Sequence, residues 1–351
     1  MQLLCLGDIA LADNRLSNWV WSPPDGLIPD DSTRVLFNWE LPVGNMLNPI
    51  PRSCGGPRLL SSPDSPGVIR SWAPGFAALA TNHILDAGED GLANTIKSLQ
   101  REGFITFGAG MTQEDINKPL IWETEEGKLV ILNWVFPETN PDWSCVPGPN
   151  FWPGINEAKS IIRDFKHKVD WVMVLAHWSD ELFSYPRPED RTIARELVDA
   201  GMDLLVSHHP HVVRGMEVIR TCPVFYSLGN FYFSNFKNDS RDWHEKRAPR
   251  TRESLGLRIS FKKGLKPEYK TLSFWQMNDR VIEDSRGQAT KRMNYSSRPL
   301  YRFSGKEYET WYQSERSRFN KYWIKWHFGI RRMGVFGFIR KILHELQSLV
   351  Q

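Results

Sequence analysis

Leu204-Leu205-Val206-Ser207-His208-His209-Pro210-His211 decides the reading of this chain. Its apolar start suits a buried strand, and the strand breaks at once into a histidine cluster. A residue before proline is pushed toward extended φ/ψ. In an extended segment residues i and i+2 point the same way. His209 and His211 are therefore expected to turn both imidazoles toward one site.

Four other apolar runs end in the same manner. Leu3 to Leu6 runs into Gly7-Asp8, and Val35 to Phe37 into Asn38-Trp39-Glu40. Phe76 to Ala80, which also reads as helix, runs into Thr81-Asn82-His83, and Trp171 to Ala176 into His177-Trp178. Helical patterns fall between them. Leu92, Ile96 and Leu99 share a face within Glu89 to Arg101, with Gly103 as a C-cap. Ile193, Ala194, Leu197 and Val198 do so before Gly201, and Asn156 is placed to cap a helix through Phe165. Alternating strands and helices indicate an α/β fold. Segments 41–67 and 136–154, rich in Pro, Gly and Ser, read as long surface loops. Further strand-like runs appear at Val224 to Leu228 and Leu255 to Phe261.

In open α/β sheets sites form beyond the carboxyl ends of strands. Here five segments deliver Asp8, Glu40, Asn82, His177 and the pair His209 and His211 to such ends. Each has a plainer reading alone. Asp8 suits a turn or cap, Glu40 a solvated or paired carboxylate, Asn82-His83 a polar turn, and His177 a hydrogen-bonded core histidine. Together, oxygen and imidazole donors without thiolate point to Mn, Fe or Zn. Asp8 or Glu40 is suited to bridge two divalent cations, between which a water would lose its proton near neutral pH. His83, beside a ligand rather than a ligand itself, is the candidate general acid, and Asp86 the group that orients it.

These segments resemble the capsule or poly-γ-glutamate biosynthesis proteins of the CapA type, a branch of the calcineurin-like metallophosphatase superfamily. The matching stretches are Gly7-Asp8, Asn38-Trp39-Glu40, Thr81 to Gly88, Gly108-Ala109-Gly110, His177-Trp178 with Glu181, Ser207 to Val212, and Phe225 to Phe231. They keep the family's order over about residues 1–275. The resemblance implies a four-layer α/β/β/α sandwich around two metals, with Asp8, Glu40, Asn82, His177, His209 and His211 as ligands and His83 as the acid-side histidine. His208 matches a less fixed position, and Ser227 and Asn230 belong to the signature without a clear role. Two departures stand out. Ala10 occupies a place where the superfamily often has a histidine ligand, which weakens one metal position, and Ser207 replaces the usual Gly.

The 351 residues suit one large domain with insertions, and 24 % charged with 41 % hydrophobic residues is ordinary for a globular protein. A net charge of +3 is too small to argue for nucleic acid by itself, and no nucleic-acid partner is expected. Fifteen Trp suit core anchors before a polymer-binding surface. Cys5, Cys54, Cys145 and Cys222 form no CxxC pair, so a zinc ribbon is unsupported. The start Met1-Gln2-Leu3-Leu4 lacks a basic leader, and no run approaches the roughly 20 apolar residues of a membrane span, so a cytoplasmic location is expected.

Beyond about residue 280 the composition turns basic and aromatic, giving an expected division into 1–280, a metallophosphatase-like domain, and 281–351, a helical C-terminal extension. There Lys321-Tyr322-Trp323-Ile324-Lys325-Trp326, and an apolar face from Phe338 to Leu349, suit self-packing, a protein partner or a peripheral membrane contact. Two functions remain open. One is a metal-dependent hydrolase acting on a phosphoester or a γ-glutamyl-like amide in a polymer or small molecule. The other is a non-catalytic, polymer-handling or complex-forming component with a structural or vestigial metal site.

Overall fold

The computed structural model describes residues 1–11, 32–44, 58–140, 144–234, 249–278 and 280–327, with side chains through residue 321. Cys54 and the apolar face from Phe338 to Leu349 lie outside the described residues, as do the side chains of 322–326. In chain order the first strands are β1 (Gln2–Ala10), β2 (Thr33–Trp39), β3 (Gly75–Ala78), β4 (Phe104–Phe107), β5 (Ala109–Gly110), β6 (Leu120–Thr124), β7 (Gly127–Val135) and β8 (Gly148–Pro149). They are followed by β9 (Trp171–His177), β10 (Leu204–His208), β11 (Met216–Ile219), β12 (Cys222–Phe225), β13 (Asn230–Phe233), β14 (Glu253–Ser260), β15 (Glu268–Gln276) and β16 (Val281–Glu283). The helices are α1 (Ser65–Val68), α2 (Gly88–Arg101), α3 (Gln113–Asn117), α4 (Ile155–Lys166), α5 (Pro188–Ala200), α6 (Gln288–Arg302) and α7 (Gly305–His327).

Two mixed sheets carry the fold. The first has the order β16-β15-β14-β1-β2-β3-β4, with β13 pairing parallel to the end of β1. From β1 to β4 it is parallel, and β14, β15 and β16 add antiparallel. The second runs β11-β12-β10-β9-β7-β6, parallel at its centre. Alternation along each strand separates the layers. Leu3, Cys5, Leu36 and Phe76 of the first sheet meet Leu129, Met173, Leu175, Leu204 and Val206 of the second in one core. Leu4, Leu6, Val35 and Phe37 point the other way, onto Leu92, Ile96 and Leu99 of α2. On the far side of the second sheet α4 packs on β9 and on α5. The result is an α/β/β/α sandwich. Covered on both faces, β1 is buried from Leu3 to Ala10, as its unbroken apolar reading requires.

The helices end where their chemistry allows. Acidic Glu89 and Asp90 open α2 and Arg101 closes it, matching the helix dipole. Pro188 opens α5 and Gly201, at φ 113°, terminates it. Gly154, not Asn156, precedes α4, and Gly75–Ala78 is strand rather than helix. Of the described tryptophans, Trp39, Trp72, Trp122, Trp134, Trp171 and Trp178 are buried in the core.

Two compact units emerge, Met1–Tyr301 and Arg302–Gln351, so the division falls at 301 rather than 280. Residues 281–301 are basic, yet β16 extends the first sheet, and α6 is tied down by polar bonds. Ser297 Oγ accepts from Met216 N at 2.8 Å. Buried Arg191 forks onto Glu217 at 2.9 and 2.8 Å and donates to Leu300 O at 2.7 Å.

One close approach sets the junction of β1 with β13. A Cβ at Gly7 would lie 1.9 Å from Gly229 O, the carbonyl that accepts from Asp8 N at 3.0 Å. Gly7→Ala is expected to destabilise the protein by about 3 kcal/mol or more, since the obstacle is backbone. Gly67→Ala, with nothing within 4 Å of its added Cβ, should stay within about 1 kcal/mol of the parent. Thermal or denaturant unfolding of both variants checks this, and equal stabilities would contradict the packing described.

Candidate metal centre

The parallel strands of both sheets end at one edge. Register places Asp8 opposite Asn38 on one side and Asn230 on the other. In the second sheet His208 stands opposite His177. His208 Nε2 lies 3.1 Å from Leu6 O, so it joins β10 to β1 across the sandwich rather than facing the site. The edge thereby gathers Asp8, Glu40, Asn82, His177, His209 and His211, all buried.

Two carboxylates dominate the electrostatics. Asp8 and Glu40 are both fully buried, and one amide holds them together. Asn38 Nδ2 donates to Asp8 Oδ1 at 2.9 Å and to Glu40 Oε2 at 2.7 Å. Among the described residues neither carboxylate is paired with Lys or Arg. Histidine nitrogens face them instead, His177 Nε2 at 3.5 Å from Glu40 Oε1 and His211 Nδ1 at 3.5 Å from Asp8 Oδ2. Burial, then the charge of Asp8, pushes the Glu40 carboxyl well above its usual range. Burial, then neighbouring histidines, holds His177 and His209 well below theirs. For His211 burial acts downward, but the hydrogen bond and charge of Asp8 outweigh it, and the ring is pushed up to about 10.

The His209-Pro210-His211 turn is not extended. His209 has φ 90° and His211 φ 58°, so the neighbour preference of proline is overridden. Tertiary bonds hold the turn: His209 N donates to Asp8 Oδ2 at 3.3 Å, and Leu182 N to Pro210 O at 2.8 Å. The two rings still share the site, with centroids 5.8 Å apart, and His177 lies 4.9 Å from His209. Asn230 Nδ2 donates to Thr251 O, which aims its Oδ1 at His211 Nδ1, 2.8 Å away. That nitrogen therefore carries the proton. On β3's continuation, Asn82 Oδ1 meets His177 Nε2 at 2.9 Å, and Asn140 Nδ2 holds the Asn82 carbonyl at 3.2 Å. Next to it His83 Nδ1 pairs with Asp86 Oδ2 at 2.6 Å, and Leu59 N fixes the same oxygen at 2.9 Å. His83 also lies close enough to disfavour protonation of His177 and His209.

The donor set fits a divalent cation. Ligands about 2.0–2.2 Å from one ion sit roughly 3 Å apart, which is the spacing of His177 Nε2 from Asn82 Oδ1 and, slightly wider, from Glu40 Oε1. Donor atoms of Glu40, His177 and His209 lie within 4.8 Å of one another, as do those of Glu181, His209 and His211. Glu40 Oε1 and His209 Nδ1 are buried with no hydrogen-bond partner, an arrangement that needs an explanation such as an ion. Three residues of this edge were given no role by the sequence. Asn38 stands two before Glu40, on the same face, and that spacing was the available signal. Asn230 and Glu181 lie on motifs but carry no local signature of their contacts.

The family model described as "Bacterial capsule synthesis protein PGA_cap" matches residues 4–235. The chain is 31 % identical over 172 residues to the PGA biosynthesis protein CapA of Bacillus subtilis, covering 46 % of this chain and 43 % of that one. It is 30 % identical over 173 residues to the capsule biosynthesis protein CapA of Bacillus anthracis, covering 47 % and 41 %. The alignments thus span less than half the length of these relatives. Among solved structures it is similar to a putative 5'-nucleotidase from Staphylococcus aureus, at 12 % identity and a TM-score of 0.47, covering 84 % of this chain and 58 % of that one.

Proton binding at this edge has a stability consequence in the cation-free protein. Folded His211 keeps its proton up to about pH 10, whereas the free ring loses it near 6.5. Its contribution is therefore complete below about pH 6.5 and lost as the pH rises toward 10. Glu40, raised by burial, acts in the same direction above the ordinary 4.5. The melting temperature of chelator-treated protein should fall from about pH 6.5 to 10, and less steeply in His211→Gln. Equal slopes for variant and parent would contradict the Asp8–His211 pairing.

Proposed function

The chain belongs to the bacterial capsule synthesis protein family, and from that premise we propose that the buried edge is the centre of a metal-dependent hydrolase. One observation carries the reading: Asp8 and Glu40 are fully buried without Lys or Arg partners among the described residues, and of the histidines at the edge His177 and His209 are held toward the neutral form, leaving only His211 to offset two carboxylates. Burying such carboxylates is costly unless positive charge compensates them. Asp8, Glu40, Asn82, His177, His209 and His211 would hold that charge as one or two Mn, Fe or Zn ions. Such ions supply Lewis acidity, which polarises the scissile group and makes water a nucleophile near neutral pH.

The chain's own residues complete the chemistry. Asn38 keeps both carboxylates aimed inward, and Asn230 keeps His211 in one tautomer. Asp86 fixes His83 by its Nδ1, which leaves the opposite ring nitrogen as the one that delivers a proton to the leaving atom. The bond cleaved is a phosphoester or an amide of the γ-glutamyl kind. The amide is suggested by relatives named for PGA and capsule biosynthesis. A second reading, a polymer-handling accessory component, is favoured by Ala10, a buried methyl two residues past Asp8 where the site gains no donor. A relative named as a probable polyglutamine synthesis accessory protein is consistent with it.

Metal analysis of the purified chain, with a screen of phosphoesters and γ-glutamyl peptides, separates the readings. The wild type should hold about one to two transition-metal ions, and His209→Ala combined with His211→Ala should lose most of them while the fold survives. Unchanged metal content in the double variant would sink the assignment. His83→Ala should cut turnover about 10²–10⁴-fold with metal content kept. Activity that falls only in step with lost metal would make His83 a ligand instead. Full metal loading without turnover on either substrate class favours the accessory role.

A further inference from the structure

We propose that Glu181 is a seventh ligand, closing a second cation position on the Asp8–His211 side of the centre. The inference rests on the metal-dependent reading above and adds a residue to it. On this side β1 offers little beyond Asp8. The next residue on the same strand face is Ala10, packed with Leu41 and Phe233. Across from it, donor atoms of Glu181, His209 and His211 lie within 4.8 Å of one another. This group shares only His209 with the Glu40–His177–His209 group, so the two define neighbouring positions rather than one.

The backbone that presents Glu181 is built for the purpose. Ser179 and Leu182 flank it at φ 76° and 60°, left-handed conformations that are strained in a non-glycine residue and persist only when the surroundings enforce them. The enforcement comes from Arg214, fully buried, which grips the loop at three points. Its Nη1 donates to Ser179 Oγ at 2.5 Å, Nη2 to Asp180 O at 2.6 Å, and Nε to Phe183 O at 2.8 Å. Ser179 N donates to Glu138 Oε1 at 2.9 Å, and Leu182 N to the carbonyl of Pro210, between the two histidines. The loop of Glu181 and the turn of His209 and His211 are thus locked to each other. The carboxylate at the end of this apparatus forms no ion pair with Lys or Arg among the described residues. A charge that needed only solvent would not require a strained, clamped loop. One carboxylate with two imidazoles, and Asp8 beside them, suits a borderline divalent ion such as Mn²⁺.

Full-length protein, stripped and reloaded with Mn²⁺, tests this through ion content and electron paramagnetic resonance. Wild type should bind about two ions and give the signal of a coupled pair. Glu181→Gln should bind about one and give the signal of an isolated ion, with affinity for the remaining ion little changed. Glu181 is exposed, so the substitution leaves no buried group unpaired, and equal melting temperatures of the stripped proteins check the fold. An unchanged ion count in E181Q overturns the role of Glu181 and leaves the six-residue reading intact. A wild-type chain that takes up no Mn²⁺ overturns both.

Discussion

Two fully buried carboxylates held by one side-chain amide are the constraint on which this structure turns. Asp8 and Glu40 share the Nδ2 of Asn38 and, among the described residues, are faced by histidines rather than by Lys or Arg. Without a cation the cluster must balance itself with protons. The Glu40 carboxyl is pushed toward its protonated form, His211 keeps its proton to about pH 10, and His177 and His209 are pushed toward the neutral ring. Such an arrangement stores no obvious stability, because desolvated charges are rarely repaid by their own pairing. It is the pattern expected where geometry is kept for chemistry.

The rest of the fold serves to bring these groups to one edge. Parallel strands from two sheets end together, so that residues distant in sequence meet beyond their carboxyl ends. Gly7 lets β1 approach the carbonyl of Gly229, which brings Asn230 into register with Asp8. His208 spans the sandwich to Leu6 O. Positive φ at Ser179, Leu182, His209 and His211 concentrates backbone strain in the two loops that face each other over the site. Strain of that kind is held in place by Arg214 and by the bond from Leu182 N to Pro210 O.

Much of this was legible in the sequence because buried strands of an α/β sandwich read as apolar runs, and their polar ends stand out. Asp8, Glu40, Asn82, His177, His209 and His211 were visible for that reason, and they do lie together. The backbone of His209 and His211 was not, since the local preference before Pro210 yields to the hydrogen bond that His209 N donates to Asp8 and the one that Pro210 O accepts from Leu182 N. Asn38 was hidden because an amide in a strand looks neutral until its two carboxylate partners are in place. Glu181 was hidden because an exposed glutamate is ordinary. Residues 281–301 were misplaced by their basic composition, which concealed the buried Ala289, Met293 and Leu300 that seat α6.

The central claim is that a divalent cation takes the place of the protons now balancing Asp8 and Glu40. Calorimetric titration of stripped protein with Mn²⁺ near pH 7, in two buffers of different ionisation enthalpy, measures it directly. The account predicts binding with net proton release, on the order of one proton per chain, diminished in His211→Gln. Binding heat that is independent of the buffer, or no binding at all, would contradict it.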